Sequence, residues 1–207
     1  MSAEITWQTS RNGLRVPLIN GRACHSLVDP LREAQRWATH IGQELQAPIR
    51  RVFILGGGAG YHVEALLQSC QPFQFEFCLI EKESVLADAL RTRFSAYLSS
   101  AQLKIEDQRT VEAGGLQLFG KKAASTVAFM FAGAVQENST FYFECRKQIL
   151  AQTPESWGMH VNSRVLNGNG QNIFDLSQER GRHPVHMLIQ EQREQDAISA
   201  ALVELFT

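Results

Sequence analysis

The feature that most constrains this chain is a strand, a glycine loop, a helix, a second strand and an acid, in that order. Arg51–Leu55 is apolar and partly β-branched, as expected of a central parallel strand that is buried on both faces. Residues 56–60 (Gly-Gly-Gly-Ala-Gly) follow it and hold four of the 15 glycines. Residues 61–67 are typical of a helix, and a second apolar run, residues 75–80, ends at Glu81.

The same alternation continues along most of the chain. Asp29 and Pro30 predict the start of a helix over about residues 30–45, because apolar residues then recur every three or four positions. Further segments are predicted as the helix 85–94 capped by Ser84, strands 103–105 and 126–131, helix 141–150, strands 159–165 and 185–189, and helix 192–206. Strands alternating with helices predict an α/β fold with a Rossmann-like, mainly parallel sheet and helices on both faces.

The domain organisation follows from length. A chain of 207 residues favours one domain, 1–207. We expect an N-terminal extension, 1–48, that carries the helix 30–45, and a Rossmann-like core, 49–207. Within the extension, residues 5–7 and 14–18 alternate weakly and predict strands joined by a turn at Asn12-Gly13. The C-terminal part is expected to add one or two antiparallel strands.

Charge and hydropathy exclude several classes of protein. The net charge of -1 argues against nonspecific nucleic-acid binding, which needs a basic surplus. No apolar run reaches the roughly 18 residues of a membrane span, and the scattered cysteines favour reduced thiols, so we expect a cytoplasmic protein. His183 and His186 lack a third ligand at suitable spacing, so no metal site is predicted. Self-association into a homo-oligomer stays open.

The glycine loop and Glu81 predict a site for a small molecule. Glycine accepts positive φ in a tight turn and lets a ligand approach the backbone, so Gly56, Gly58 and Gly60 favour a binding loop. Glu81 follows about 20 residues later, the spacing at which an acid meets the hydroxyls of a ribose. The alternative is that the glycines only close a turn and Glu81 is a solvated acid at a strand end.

Two residues directly after the loop are further candidates. Tyr61 stands where the dinucleotide fingerprint has its third glycine, and it could lie against a ligand or be an ordinary buried aromatic. His62 lies in the first turn of the helix, where it could contact a phosphate or carboxylate, act as a base, or simply pack. Trp37, on the apolar stripe of its helix, is expected in the core.

Residues 52–60 followed by Glu81 resemble motif I and the ribose-binding acid of class I S-adenosylmethionine-dependent methyltransferases. The resemblance implies that the loop, with Gly57 alongside the other three glycines, passes the amino-acid part of S-adenosylmethionine. It also implies that Glu81 holds the ribose, and Asp107 would be placed to meet the adenine. Residues 54–58 are similar to polyamine aminopropyltransferases too, but Ala59 replaces their usual aspartate and argues against polyamine synthesis. Neither the methyl acceptor nor a catalytic residue is identified.

A second resemblance covers about residues 21–90. Residues 25–34 (His-Ser-Leu-Val-Asp-Pro-Leu-Arg-Glu-Ala) and the Gly-Tyr-His ending of the loop are similar to the central domain of the motility-associated-factor glycosyltransferases. Those bacterial proteins modify flagellin with nonulosonic sugars, and the resemblance implies a nucleotide-sugar or diphosphate ligand. The chain is much shorter than those enzymes. A third possibility is a non-catalytic module for ligand binding or interaction, because fold alone does not fix function.

Overall fold

The computed structural model describes residues 3–45, 49–70, 75–113, 126–150 and 152. The chain begins with an antiparallel sheet of three strands, β1 (Ile5–Thr9), β2 (Arg15–Ile19) and β3 (Arg22–Ala23), in the order β1-β2-β3. The first hairpin turns at Gly13, whose φ of +81° suits the predicted Asn-Gly turn. The two predicted N-terminal strands are confirmed, and the extension therefore contains a small sheet as well as a helix.

Helix α1 (Pro30–Glu44) starts where the sequence predicts. The Asp29 carboxylate accepts a hydrogen bond from the N–H of Arg32 at 3.0 Å, and Pro30 occupies the first turn. Ala34, Ala38 and Ile41 are buried, so the stripe of apolar residues faces the interior.

The core is a parallel sheet of four strands, β4 (Arg51–Leu55), β5 (Glu76–Glu81), β6 (Leu103–Asp107) and β7 (Thr126–Met130). Their order in space is β6-β5-β4-β7, so after β6 the chain crosses back past β5 and β4 and adds β7 on the other side of β4. This reversal places a topological switch point between the carboxyl ends of β4 and β7, where open α/β sheets bind ligands. The helices of this part are α2 (Tyr61–Ser69), α3 (Ser84–Arg93), α4 (Ser95–Ser99), α5 (Gln108–Glu112), α6 (Ala132–Val135) and α7 (Ser139–Ile149), with a 3-10 turn at Gln136–Asn138.

Both faces of the sheet are buried because successive residues of β4 point to opposite sides. Val52 and Ile54 pack in a cluster with residues of α1, α2 and α3. Phe53 and Leu55 pack in another cluster with residues of α7. The fold is therefore the predicted Rossmann-like α/β arrangement with helices on both faces.

Two outcomes differ from the expectation or lie beyond it. Ser84 does not cap α3: it is the first helical residue, and Glu83 precedes the helix without a capping hydrogen bond from its side chain. The predicted strands and helix after residue 153, and the pair His183 and His186, lie outside the described residues. Within the described ranges, the structure has no helix long and apolar enough to cross a membrane.

Candidate functional site

The glycine loop joins β4 to α2 at the carboxyl edge of the parallel sheet. Gly56, Gly58 and Gly60 have φ values of +85°, +51° and +83°, which side chains with a Cβ rarely adopt. The prediction that this turn needs positive φ is confirmed at all three positions. The N–H of Gly60 closes the turn by donating to the carbonyl of Gly57 at 2.8 Å.

Glu81 ends the neighbouring strand β5, and its side chain points at the loop. One carboxylate oxygen, Oε2, accepts hydrogen bonds from the N–H of Gly57 at 2.8 Å and of Gly58 at 3.1 Å. The other, Oε1, accepts from the N–H of Glu83 at 3.1 Å and from the hydroxyl of Tyr142 at 3.0 Å. The residue is 0% exposed, so the alternative of a solvated strand-end acid is wrong. The glycine loop and the carboxylate of Glu81 are therefore in direct contact.

Burial and hydrogen bonding act on this carboxyl in opposite directions. Burial raises the pKa of Glu81 above its ordinary value, while the four hydrogen bonds lower it and offset only part of that effect. Burial, followed by the charge of Glu81, raises the pKa of Tyr142 well above its ordinary value. Tyr142 therefore keeps its proton at neutral pH and donates it to the carboxylate.

The protein's own atoms lie close against the glycines. A Cβ added at Gly58 would lie 3.1 Å from the Cys24 Cβ and 3.1 Å from the His25 Nε2, both in the segment before α1. A Cβ added at Gly60 would lie 2.8 Å from Leu90. In this conformation, the absence of a Cβ lets the N-terminal segment and α3 pack directly on the loop.

His62 is fully buried beneath the loop. Its Nε2 lies 3.0 Å from the carbonyl of Gly56, so Nε2 carries the proton and donates it. Its Nδ1 has no partner among the described residues. The ring stacks on Phe131 at 3.9 Å between centroids and meets the edge of Trp37 at 5.0 Å. Burial, followed by the electrostatic effect of His25 nearby, lowers the pKa of His62 well below its ordinary value, so this imidazole is neutral.

Tyr61 and Asp107 are also engaged within the protein. Tyr61 is buried and donates its hydroxyl proton to the carbonyl of Arg15 at 2.8 Å, which ties α2 to the N-terminal sheet. Asp107 pairs with Glu81 in the register of β5 and β6, so it lies at the same edge of the sheet. Its carboxylate caps α5 by accepting from the N–H of Thr110 at 3.0 Å, and that hydrogen bond lowers the pKa of Asp107.

Sequence reasoning missed the polar contacts that join β5 to α7. Tyr142 lies in an aromatic run, but no local pattern links it to a strand end 61 residues earlier. Lys82 Nζ donates to Asn138 Oδ1 at 2.6 Å, and Asn138 Nδ2 donates to Glu83 at 3.0 Å. These contacts are long-range in sequence, and only the parallel strand order brings them together. The described part of the chain has no group of three side chains suited to a metal ion.

The similarities between this chain and known proteins are low and do not identify its function. No known protein family and no curated protein matches the chain. Among solved structures, the crystal structure of MNMC2 from Aquifex aeolicus aligns with a TM-score of 0.40 and 14% identity. The alignment covers 76% of this chain and 56% of that one, so the chain spans little more than half its length. The strand order and register above, therefore, carry the fold assignment.

Proposed function

We propose that the protein binds S-adenosylmethionine at the carboxyl edge of the parallel sheet and transfers its methyl group to an acceptor. The observation that carries the proposal is the direct hydrogen bonding of Glu81 to Gly57 and Gly58. The glycine loop is expected to hold the amino-acid portion of the cofactor, and Glu81 is expected to hold its ribose. The sulfonium supplies an electrophilic methyl group, so the protein's task is to bind and align, with little acid–base chemistry.

The hydrogen bonds of Glu81 define what a ligand has to provide. Oε2 lies where an external acceptor would satisfy the N–H groups of Gly57 and Gly58. A ligand with both a carboxylate and a ribose diol allows a balanced exchange. Its carboxylate would take over the two N–H donors, and Oε2 of Glu81 would then accept from the two hydroxyls. S-adenosylmethionine carries both groups, so neither the two N–H groups of the loop nor Oε2 of Glu81 would be left without a partner.

The proposal also requires the N-terminal segment to move. Cys24 and His25 lie against Gly58, and both are buried. A ligand that contacts the loop from this side has to displace them, so residues 24–25 would act as a cover over the site. In this exchange Oε1 of Glu81 would continue to accept from the N–H of Glu83 and the hydroxyl of Tyr142.

Thermal unfolding with S-adenosylhomocysteine tests the proposal. At 100 times its Kd, a ligand that binds only the folded state adds about 2.7 kcal/mol to the free energy of unfolding. Glu81→Gln removes the negative charge from the side chain that is proposed to accept hydrogen bonds from the ribose hydroxyls. We expect it to weaken binding by about tenfold or more. Glu106→Gln, at the next strand end, is the matched control and should bind as the wild type does. Equal affinity for wild type and Glu81→Gln would refute the ribose role.

A specific observation also favours a non-catalytic module. All four hydrogen bonds to Glu81 come from the protein itself. The N–H groups of Gly57 and Gly58 therefore already have an acceptor, and no ligand is needed to supply one. On this second reading, the carboxylate is a permanent internal anion that ties β5 to the loop. A folded chain that responds neither to S-adenosylhomocysteine nor to cytidine nucleotides would support it. A response to the cytidine nucleotides alone would favour the nucleotide-sugar ligand, which no described contact of the loop supports.

A further inference from the structure

A cleft of about 220 Å³ lies beside the glycine loop and between the N-terminal sheet and α3. Its lining includes Trp7 and Arg15 from β1 and β2, Gly58 from the loop, Tyr61 from α2 and Arg93 from α3. We name it the arginine cleft. The volume is below the roughly 300–1,000 Å³ of pockets that enclose a drug-sized ligand, so it fits a small group.

Two guanidinium groups from separate elements hold defined positions at this cleft. Arg15 lies over the ring of Trp7 at 4.9 Å from its centroid, and Arg93 lies over the ring of Tyr61 at 4.8 Å. Contacts of this kind orient a guanidinium while leaving its N–H donors able to bind other groups. Both cations are therefore arranged before any ligand arrives, which lowers the entropic cost of binding.

The charges around the cleft are not balanced. Arg93 forms an ion pair with Glu64, whereas Arg15 has no carboxylate partner among the described residues. The cleft's lining contains no acidic side chain. A positive field therefore remains at Arg15, and a second cation is available if Glu64 releases Arg93.

We propose that the arginine cleft binds the diphosphate group of a small molecule. A diphosphate presents several acceptor oxygens and enough negative charge to engage two guanidinium groups at once, whereas one carboxylate satisfies a single guanidinium. The small volume and open rim suit such a group, with the rest of the ligand outside. Gly58 lines both sites, but the arginine cleft uses neither Glu81 nor the N–H groups that Glu81 occupies, so the two proposals can be tested separately.

Inorganic pyrophosphate is the probe, and titration calorimetry at low and moderate salt is the assay. Arg15→Gln should weaken binding by about tenfold or more, because a charge-assisted hydrogen bond is lost. Arg36→Gln removes the same charge from the exposed face of α1 and should leave the affinity unchanged. Glu64→Gln frees Arg93 and should tighten binding severalfold. Arg15 contributes only its backbone carbonyl to Tyr61, so the first variant keeps that contact.

Three results would overturn the proposal: no binding of pyrophosphate by the wild type, a loss of affinity in Arg15→Gln no greater than in Arg36→Gln, or weaker binding by Glu64→Gln. Equal losses would mean that general surface charge attracts the anion. Because S-adenosylhomocysteine is absent from this titration, failure here leaves the test of Glu81 unaffected. Pyrophosphate should also change the fluorescence of Trp7, and Trp7→Phe should remove that change.

Discussion

Replacing Tyr142 by Phe tests the buried hydrogen bonds of Glu81 without creating a cavity. The ring of Tyr142 is 0% exposed and packs in the cluster between α7 and the sheet. Phe retains that packing. The hydroxyl donates to Glu81 at 3.0 Å and accepts from the N–H of Lys82 at 3.0 Å. The substitution removes both hydrogen bonds together.

The expected cost can be worked out from these two contacts. A hydrogen bond to a charged group contributes about 1.5–3 kcal/mol, and a partly buried N–H left without an acceptor adds roughly 1 kcal/mol. We therefore expect Tyr142→Phe to lower the free energy of unfolding by about 2.5–4 kcal/mol. The change should also raise the pKa of Glu81 further, because one of the hydrogen bonds that lowers it is lost.

Urea unfolding followed by circular dichroism measures this cost. Tyr97→Phe is the matched control, because the Tyr97 hydroxyl makes no hydrogen bond within the described ranges although its ring packs against Phe94. The control should change the free energy of unfolding by less than about 0.5 kcal/mol. If Tyr142→Phe is as stable as Tyr97→Phe at an unchanged m-value, the reasoning about Glu81 fails.

Two further predictions concern the loop and the imidazole beneath it. In urea unfolding, Gly60→Ala should lower the free energy of unfolding by about 1–3 kcal/mol more than Gly13→Ala does. Both residues have positive φ, but only Gly60 would press a Cβ against Leu90, at 2.8 Å. Equal costs would show that the contact yields freely. The lowered pKa of His62 means that the unfolded chain takes up a proton first as the pH falls below about 6.5, so this residue makes the wild type lose stability on the acid side. Glu81, with its raised pKa, has the opposite sign, because its folded form takes up a proton first and gains stability as the pH falls. His62→Phe should therefore flatten or reverse the slope of stability between pH 7 and pH 5, and an unchanged slope would contradict the assignment.

The sequence predicted the frame of this protein because that frame is encoded locally. Asp29 and Pro30 mark a helix start by their own chemistry, and β4 is apolar on both faces because it is central in the sheet. The position of Glu81 at a strand end next to the glycine loop also followed from the spacing. The first two signals lie within one helix or strand, and the third lies within a single strand–helix–strand unit.

The details of the site were not predictable in this way. The hydroxyl that donates to Glu81 belongs to Tyr142, on α7. The cover over Gly58 consists of Cys24 and His25, which precede the core. Such contacts depend on strand order and on how the N-terminal segment packs. The glycine pattern predicts space for a ligand, yet in this conformation protein atoms occupy that space.

The cover therefore decides whether the loop is a closed binding site or a permanent structural joint, and Cys24 reports on it. The thiol is 1% exposed, and burial raises its pKa to about 12, so alkylation by iodoacetamide should be slow at neutral pH. If S-adenosylhomocysteine displaces residues 24–25 from Gly58, saturating ligand should accelerate the modification of Cys24, measured by mass spectrometry of its peptide. Cys145 is buried on α7, in a different cluster from Cys24, and is the internal control, because its rate should not rise. Binding without faster modification of Cys24 would mean that the ligand reaches the protein without moving the cover. In that case the exchange proposed for the N–H groups of the loop does not take place.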